Sequence, residues 1–267
     1  MKNEKWDKLI ISLKSLGRVA VAFSAGVDST FLLRAAHEAL GENVIAVTGR
    51  SLAFPETEGR EAAAFCRELG VEQITVEFDQ MAIPGFEDNP PDRCYLCKKA
   101  LFSAFIDAAK KMGFSCVAEG SNADDVGDYR PGLRAIAELG VKSPLKDAGF
   151  TKREIRELSE ELGLPTWNKP SMACLATRFP YGERITKEKL AAVDAGEQML
   201  RKAGFRQVRV RSHGNIARIE IECGQFQKLL EMSGEIDRAF HELGFLYVTM
   251  DLAGYRMGSM NKELTEK

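Results

Sequence analysis

The chain has 267 residues, 45% hydrophobic and 28% charged, which supports one large or two modest cores and excludes a disordered chain or a disulfide-stapled mini-protein. Lys and Arg number 37 against 39 Asp and Glu, a net charge of −2, so a global basic field for long nucleic acid is absent. The charged start Met1–Lys8 lacks a following apolar region and does not read as a signal peptide, no apolar run suits a membrane span, and the expected compartment is the cytoplasm.

Val19–Phe23 is a short apolar run suited to a strand buried on both faces, and 43–48, 73–78 and 115–119 repeat the pattern. Helical stretches at about 29–40, 56–69 and 98–112 lie between them, with Gly41, Gly70 and Gly113 at the C-cap positions. This alternation predicts a parallel twisted α/β sheet flanked by helices. Thr151-Lys-Arg-Glu154 has capping-box form and opens a helix to about Leu162. Residues 165–185 lack periodicity and contain Pro165, Pro170, Pro180 and Gly182, the texture of a functional loop. A helix at 187–203 follows. Val208, Val210, Ile219 and Ile221 then alternate with Arg209, Arg211, Arg218 and Glu220, which predicts two strands solvated on one face. A helix at 225–243 and a strand at 245–250 complete a smaller α+β domain. The expected division is 1–165, a linking loop 166–185, and 186–267.

Ser24-Ala-Gly-Val-Asp-Ser-Thr30 stands between the first strand and the helix after it. Helix N-terminal amides and the positive end of the dipole bind phosphate there. Gly26 permits tight curvature and close approach of an anion, and Ser24, Ser29 and Thr30 add hydroxyl donors beside Val27. Asp28 would repel phosphate without a cation, which implies Mg²⁺. Thr48-Gly-Arg50-Ser51 and Glu119-Gly120-Ser-Asn122-Ala-Asp124-Asp125 close the second and fourth strands, at the ends where open α/β sheets bind ligands. Asp125 or Asp124 is then a second carboxylate facing Mg²⁺ or phosphate. Without the phosphate context the same strings read as a Ser-capped helix and an Asx-rich turn.

Cys94-Tyr-Leu-Cys97 lies on a loop entering a helix, and Cys174 sits inside the long loop. Three such thiols suit a [4Fe–4S] cluster with one open iron, a zinc site with a fourth ligand, or a redox pair plus a nucleophile. Cys66, Cys116 and Cys223 read as small buried hydrophobes. Arg178 is placed to lower a thiolate pKa or to bind a substrate phosphate, and Arg209 and Arg211 share one face of a strand, two guanidinium forks suited to a phosphate monoester. Glu197, on the helix after the cysteine loop, has the chemistry of a divalent-metal ligand, with a helix-surface carboxylate as its plain alternative.

The first motif resembles the SGGxDS loop of the PP-loop ATP pyrophosphatases, with Ala25 where Gly is usual, a mild departure since Ala adopts most loop conformations. The Gly120–Asp125 string is similar to an element lining the nucleotide pocket in that superfamily. Pro170-Ser-Met-Ala-Cys-Leu-Ala-Thr-Arg-Phe-Pro-Tyr-Gly182, Val208–Gly214 and Asp251–Ser259 resemble the LarE family of sulfur transferases, over about residues 15–260. The resemblance implies ATP-dependent adenylation of a carboxylate of a pyridinium-dicarboxylate mononucleotide, pyrophosphate release, and thiocarboxylate formation. One LarE type consumes its loop cysteine, here Cys174. Another holds a [4Fe–4S] cluster on three cysteines, and Cys94, Cys97 and Cys174 match that type. The implied ligands are ATP and Mg²⁺, with Ser24, Gly26–Thr30, Arg50, Ser51, Gly120, Asn122 and Asp125 about the nucleotide. The implied partners are the small-molecule nucleotide substrate and a sulfide or other sulfur donor, in a homo-oligomer, a hexamer. Alternatives are a tRNA-thiolating enzyme of the same superfamily, an ammonia-using amide-forming relative, and a non-catalytic ATP-binding iron–sulfur sensor.

Overall fold

The computed structural model describes residues 4–54, 56–125, 131–170 and 173–256, without the Glu56 side chain. The chain forms two compact units, Met1–Asp79 with Cys94–Met172, and Gln80–Arg93 with Ala173–Lys267.

In chain order the first unit contains α1 (Glu4–Leu16), β1 (Val19–Ala22), α2 (Val27–Leu40), β2 (Val44–Arg50), α3 (Glu56–Leu69) and β3 (Glu72–Glu77). After the excursion into the second unit come α4 (Arg93–Lys111), β4 (Val117–Ala118), α5 (Pro131–Glu138), α6 (Pro144–Asp147) and α7 (Lys152–Glu161). The strands pair in parallel in the order β3-β2-β1-β4, with Val19 opposite Val44 and Ala20 opposite Val117. Period-two side-chain alternation explains why these runs are apolar throughout. Val19, Val21, Val44 and Ala46 enter one core with Leu9, Phe31, Leu158 and other residues of α1, α2 and α7. Ala20, Ile45 and Val47 enter the opposite core with Leu101, Phe102 and Phe105 of α4. The expected doubly covered parallel sheet is therefore present. Thr151 and Glu154 make the expected reciprocal capping box at the start of α7. Gly41, Gly70 and Gly113 take positive φ after their helices. The sequence reading lacked α1, whose Trp6, Leu9 and Leu13 form a buried stripe, and α5 and α6.

The second unit holds α8 (Lys187–Lys202), β5 (Val208–His213), β6 (Ile216–Ile221), α9 (Phe226–Glu231), α10 (Ser233–Glu242) and β7 (Tyr247–Met250). Its sheet has the order β5-β6-β7, antiparallel then parallel. The helix expected over 225–243 is two helices, broken at Met232. The expectation that β5 and β6 are solvated on one face is overturned. Arg209 and Arg211 are only 3% and 8% exposed, and Glu220 is fully buried.

Candidate active site

β1 ends at Ala22, and the chain turns sharply into α2. The turn is made by Ala25, whose φ of 52° is the left-handed conformation that favours glycine. Gly26 has an ordinary extended backbone, with φ of −83° and ψ of 165°. The departure from glycine at position 25 is therefore not mild, and curvature is not the reason for glycine at 26. A Cβ on Gly26 would sit 3.3 Å from the Ser24 hydroxyl, in the approach to the loop. The Ser29 hydroxyl donates to the Gly26 carbonyl and lies 3.2 Å from the Ser24 hydroxyl, stitching the turn closed. Thr30 is fully buried, so its hydroxyl is turned inward and is not a donor at the surface of the loop, contrary to expectation. Gly26 carries no side chain to cap the N-terminus of α2, which among the described residues leaves its first-turn amides to an anion.

A pocket opens at this turn, lined by Ser24, Gly26, Val27, Asp28, Glu58, Lys152, Lys169 and Pro170. Lys152 Nζ lies 2.5 Å from Asp28 Oδ2. Lys169 Nζ donates to the Ala25 carbonyl at 2.9 Å and pairs with Glu61 at 2.5 Å. The sequence reading missed both lysines. Lys152 stood only as the first residue after a helix cap, and Lys169 as loop. Their partners are far away in sequence, so no local spacing marks them.

The Gly120–Asp125 string reaches the same loop. A Cβ on Gly120 would meet Ser29 N at 3.1 Å and Asp28 C at 3.2 Å, so this glycine packs against the first turn of α2. Asn122 is buried, and its amide lies 3.4 Å from Asp28 Oδ1. Asp125 accepts from Asn122 N, while Asp124 accepts from Lys152 N at 2.8 Å. These two carboxylates thus hold the turn that presents Asn122 and the backbone that carries Lys152. Arg50 and Ser51 stand at the end of β2. Arg50 pairs with Glu77, and the Ser51 hydroxyl accepts from Ala53 N.

In the second unit Cys174 is half-buried at the head of a short 3₁₀ turn, Leu175–Arg178. Its carbonyl accepts from Thr177 N at 2.9 Å, Thr177 Oγ1 at 2.8 Å and Arg178 Nη1 at 3.3 Å. Arg178 is 1% exposed and Glu197 is fully buried. They form a bidentate pair at 2.6 and 2.9 Å. Glu197 also accepts from Arg201 and, at 3.1 Å, from the Val210 amide on the edge of β5. Burial pushes the Glu197 carboxyl up, but the Arg178, Arg209 and Arg201 guanidiniums outweigh it and hold it below the usual carboxylate range. Glu197 is therefore not a helix-surface carboxylate. Arg211 donates to Thr177 O at 2.7 Å and pairs with Glu220 at 2.9 Å. Burial, then the neighbouring Arg178, lower Arg209 to about 10, which leaves it charged at neutral pH. The arginines expected to read an anion thus belong to one buried charge network beneath the cysteine loop. Ser171, Met172 and 257–259 of the quoted motifs lie outside the described residues.

Cys94 and Cys97 fall inside α4, one turn apart on one face, rather than on a loop before it. Buried Arg93, the residue before Cys94, donates to the Ala176 carbonyl at 3.0 Å, two residues past Cys174. Burial raises Cys66 to about 11 and also raises Cys116, as inert structural thiols require. Cys223 is exposed, contrary to expectation. Among the described residues no three His, Cys, Asp or Glu side chains are gathered about one point as a ready metal cage. The donor chemistry nevertheless suits two groups. Cys94 and Cys97, one turn apart on α4, carry the soft sulfur donors that an iron–sulfur cluster takes. Magnesium takes one or two carboxylates plus substrate phosphates, and Asp28 faces the anion pocket. Among the described residues no helix is long and apolar enough to cross a membrane.

No family model matches the chain. It is 42% identical to an uncharacterised protein of Synechocystis sp. over 268 residues, covering the whole of both chains. It is 41% identical over 259 residues to the pyridinium-3,5-bisthiocarboxylic acid mononucleotide synthase of Lactiplantibacillus plantarum, covering 97% of this chain and 94% of that one. A tRNA-specific 2-thiouridylase of Desulforamulus reducens is 25% identical over 195 residues, 57% of this chain and 53% of that protein.

Proposed function

Because the chain belongs to the LarE family of ATP-dependent sulfur transferases, we propose that it adenylates a carboxylate of a pyridinium-3,5-dicarboxylate mononucleotide and converts it to a thiocarboxylate. One observation carries the adenylation half: the uncapped N-terminus of α2 opens into a pocket lined by Lys152, Lys169 and Asp28.

A carboxylate is a poor acyl electrophile. Its oxygen attacks the α-phosphorus of ATP, the bond to the bridging oxygen breaks, and pyrophosphate leaves with the electron pair. The α2 amides stabilise that developing charge. Asp28 would hold Mg²⁺, which neutralises charge on the leaving pyrophosphate when bound. Asn122 and Gly120 fix the Asp28 turn from the side of β4. A sulfur nucleophile then attacks the acyl carbon, and AMP departs. Cys174 belongs to this second half, on a loop whose backbone is fixed by Arg178 and Thr177. Cys94, Cys97 and Cys174 would hold a [4Fe–4S] cluster, which when bound supplies sulfide from outside the polypeptide. Arg211 fixes the Cys174 loop from β5 by donating to the Thr177 carbonyl.

The test is pyrophosphate release by anaerobically purified protein, with iron, acid-labile sulfide and intact mass measured before and after turnover. The expected result is substrate-dependent pyrophosphate, about four irons per chain and an unchanged mass. Absence of iron with a loss of about 34 Da, one H₂S, assigns the sulfur to Cys174 itself. ATP and possible substrates yielding no pyrophosphate would refute the adenylation reading. The 2-thiouridylase relative supports sulfur transfer in general, but the net charge of −2 favours a small substrate over tRNA.

A further inference from the structure

Four charged side chains line the phosphate pocket, Asp28, Glu58, Lys152 and Lys169. Their formal charges cancel. Lys169 is committed to the loop itself, through the Ala25 carbonyl and Glu61. Lys152 differs. Its backbone is pinned by Asp124, while its side chain crosses to Asp28 Oδ2 and stays one-third exposed. The four-carbon stem of lysine lets the ammonium move while the main chain stays fixed.

We propose that Lys152 competes with the divalent cation for Asp28 and transfers to the pyrophosphate group when the metal–nucleotide complex binds. This rests on the ATP reading above and adds to it a pyrophosphate ligand and a metal-exclusion role. Asp28 is neutralised by Lys152, so a bare divalent ion must displace an ammonium to bind, and a bare anion meets Asp28. A metal–pyrophosphate complex resolves both at once. The metal takes the carboxylate, and the released ammonium takes a phosphate oxygen. The exchange moves charges without making or breaking a covalent bond. Lys152 thereby makes metal binding conditional on nucleotide.

The experiment uses the full-length protein and two probes. Mn²⁺ alone is titrated by electron paramagnetic resonance, and pyrophosphate at saturating Mg²⁺ by calorimetry. Lys152→Met should bind Mn²⁺ about tenfold more tightly than wild type, and the added Asp28→Asn change should abolish that gain. The same Lys152→Met protein should bind magnesium pyrophosphate about tenfold more weakly, about 1.4 kcal/mol, and Lys152→Arg should recover most of the loss. Both shifts are required. Unchanged Mn²⁺ affinity, or unchanged pyrophosphate affinity, overturns the proposal. Thermal melts of each variant identify a folding defect, and Lys152→Arg then serves as the deciding variant: it must still exclude Mn²⁺ as wild type does and retain pyrophosphate. Wild-type protein that binds neither magnesium pyrophosphate nor ATP would instead remove the underlying ATP reading.

Discussion

Replacing Glu197 by alanine removes the anion on which the cysteine loop rests. Glu197 is fully buried, and it compensates Arg178, itself 1% exposed, through two short hydrogen bonds. It also holds Arg201 and the Val210 amide. Removing one partner of a buried pair leaves an uncompensated charge in a low-dielectric interior, at about 3–5 kcal/mol. Total stability of a domain is about 5–15 kcal/mol, so the loss is a large fraction of it. A cost of about 4 kcal/mol corresponds to a melting shift of roughly 8–16 °C at this chain length. Urea denaturation followed by circular dichroism reads the global cost. Hydrogen exchange at the Val210 amide reads the local one, because that N–H donates to Glu197. The double change Arg178→Met with Glu197→Leu should recover most of the stability, since replacing both partners by apolar groups is often neutral. A Glu197→Ala cost below about 1 kcal/mol would refute the charge-network reading, because such a value belongs to an exposed pair. So would a divalent metal that stabilises wild type and not Glu197→Ala, which would return Glu197 to metal binding.

Gly120→Ala places a methyl group 3.1–3.2 Å from backbone atoms of Asp28 and Ser29. It should cost about 1–3 kcal/mol and weaken ATP binding, both measurable by calorimetry. Ala25→Gly relieves a left-handed alanine worth about 1–2 kcal/mol, but loses a buried methyl of about 0.8 kcal/mol and gains unfolded-state freedom of about 0.4–1 kcal/mol. Its unfolding free energy from urea denaturation should therefore match wild type to within about 0.8 kcal/mol. The hydrogen bond from Lys5, then that from the Thr151 backbone, holds the Glu154 carboxyl at about 2, against an ordinary 4.5. A depressed folded pKa means stability present above pH 4.5 and lost as pH falls toward 2, so a pH series of melts should show a loss in wild type that Glu154→Gln lacks.

The sheet of the first unit was legible because its determinants are local. Val19–Phe23 and Val44–Val47 are apolar at every position, which only a doubly covered strand requires. The Thr151–Glu154 box lies within one turn. The Ser24–Thr30 turn between β1 and α2 was legible for the same reason, yet its working parts were assigned to the wrong atoms. Gly26 looked like the turning residue, but Ala25 turns, because the chain must reverse before the helix starts at Val27. The arginines of β5 show a second limit. Alternation with valine marks Arg209 and Arg211 as sharing one face, and the face was taken as wet because arginine is usually outside. What makes it dry is Glu197 from α8 and Glu220 from β6, brought in by tertiary structure. Glu220 sits opposite Arg209 in the β5–β6 register, so the pairing of opposite charges across the hairpin was the signal available in the sequence.

The two half-reactions should come apart at Cys174. The described residues that line the pocket at the start of α2 belong to the first unit, whereas Cys174 belongs to the second. The contacts that hold the cysteine loop are made to the Cys174 carbonyl, by Thr177 and Arg178, and to the Ala173 carbonyl, by Arg178. Alanine keeps both carbonyls and removes only the sulfur. Cys174→Ala should therefore melt within about 1 kcal/mol of wild type, as a half-buried small-residue change does. It should retain substrate-dependent exchange of labelled pyrophosphate into ATP, because adenylation is reversible while no sulfur is available to consume the acyl adenylate. Thiocarboxylate formation should vanish. Loss of exchange in a variant that melts like wild type would show that the sulfur atom takes part in adenylation, and the separation of the two half-reactions would fail.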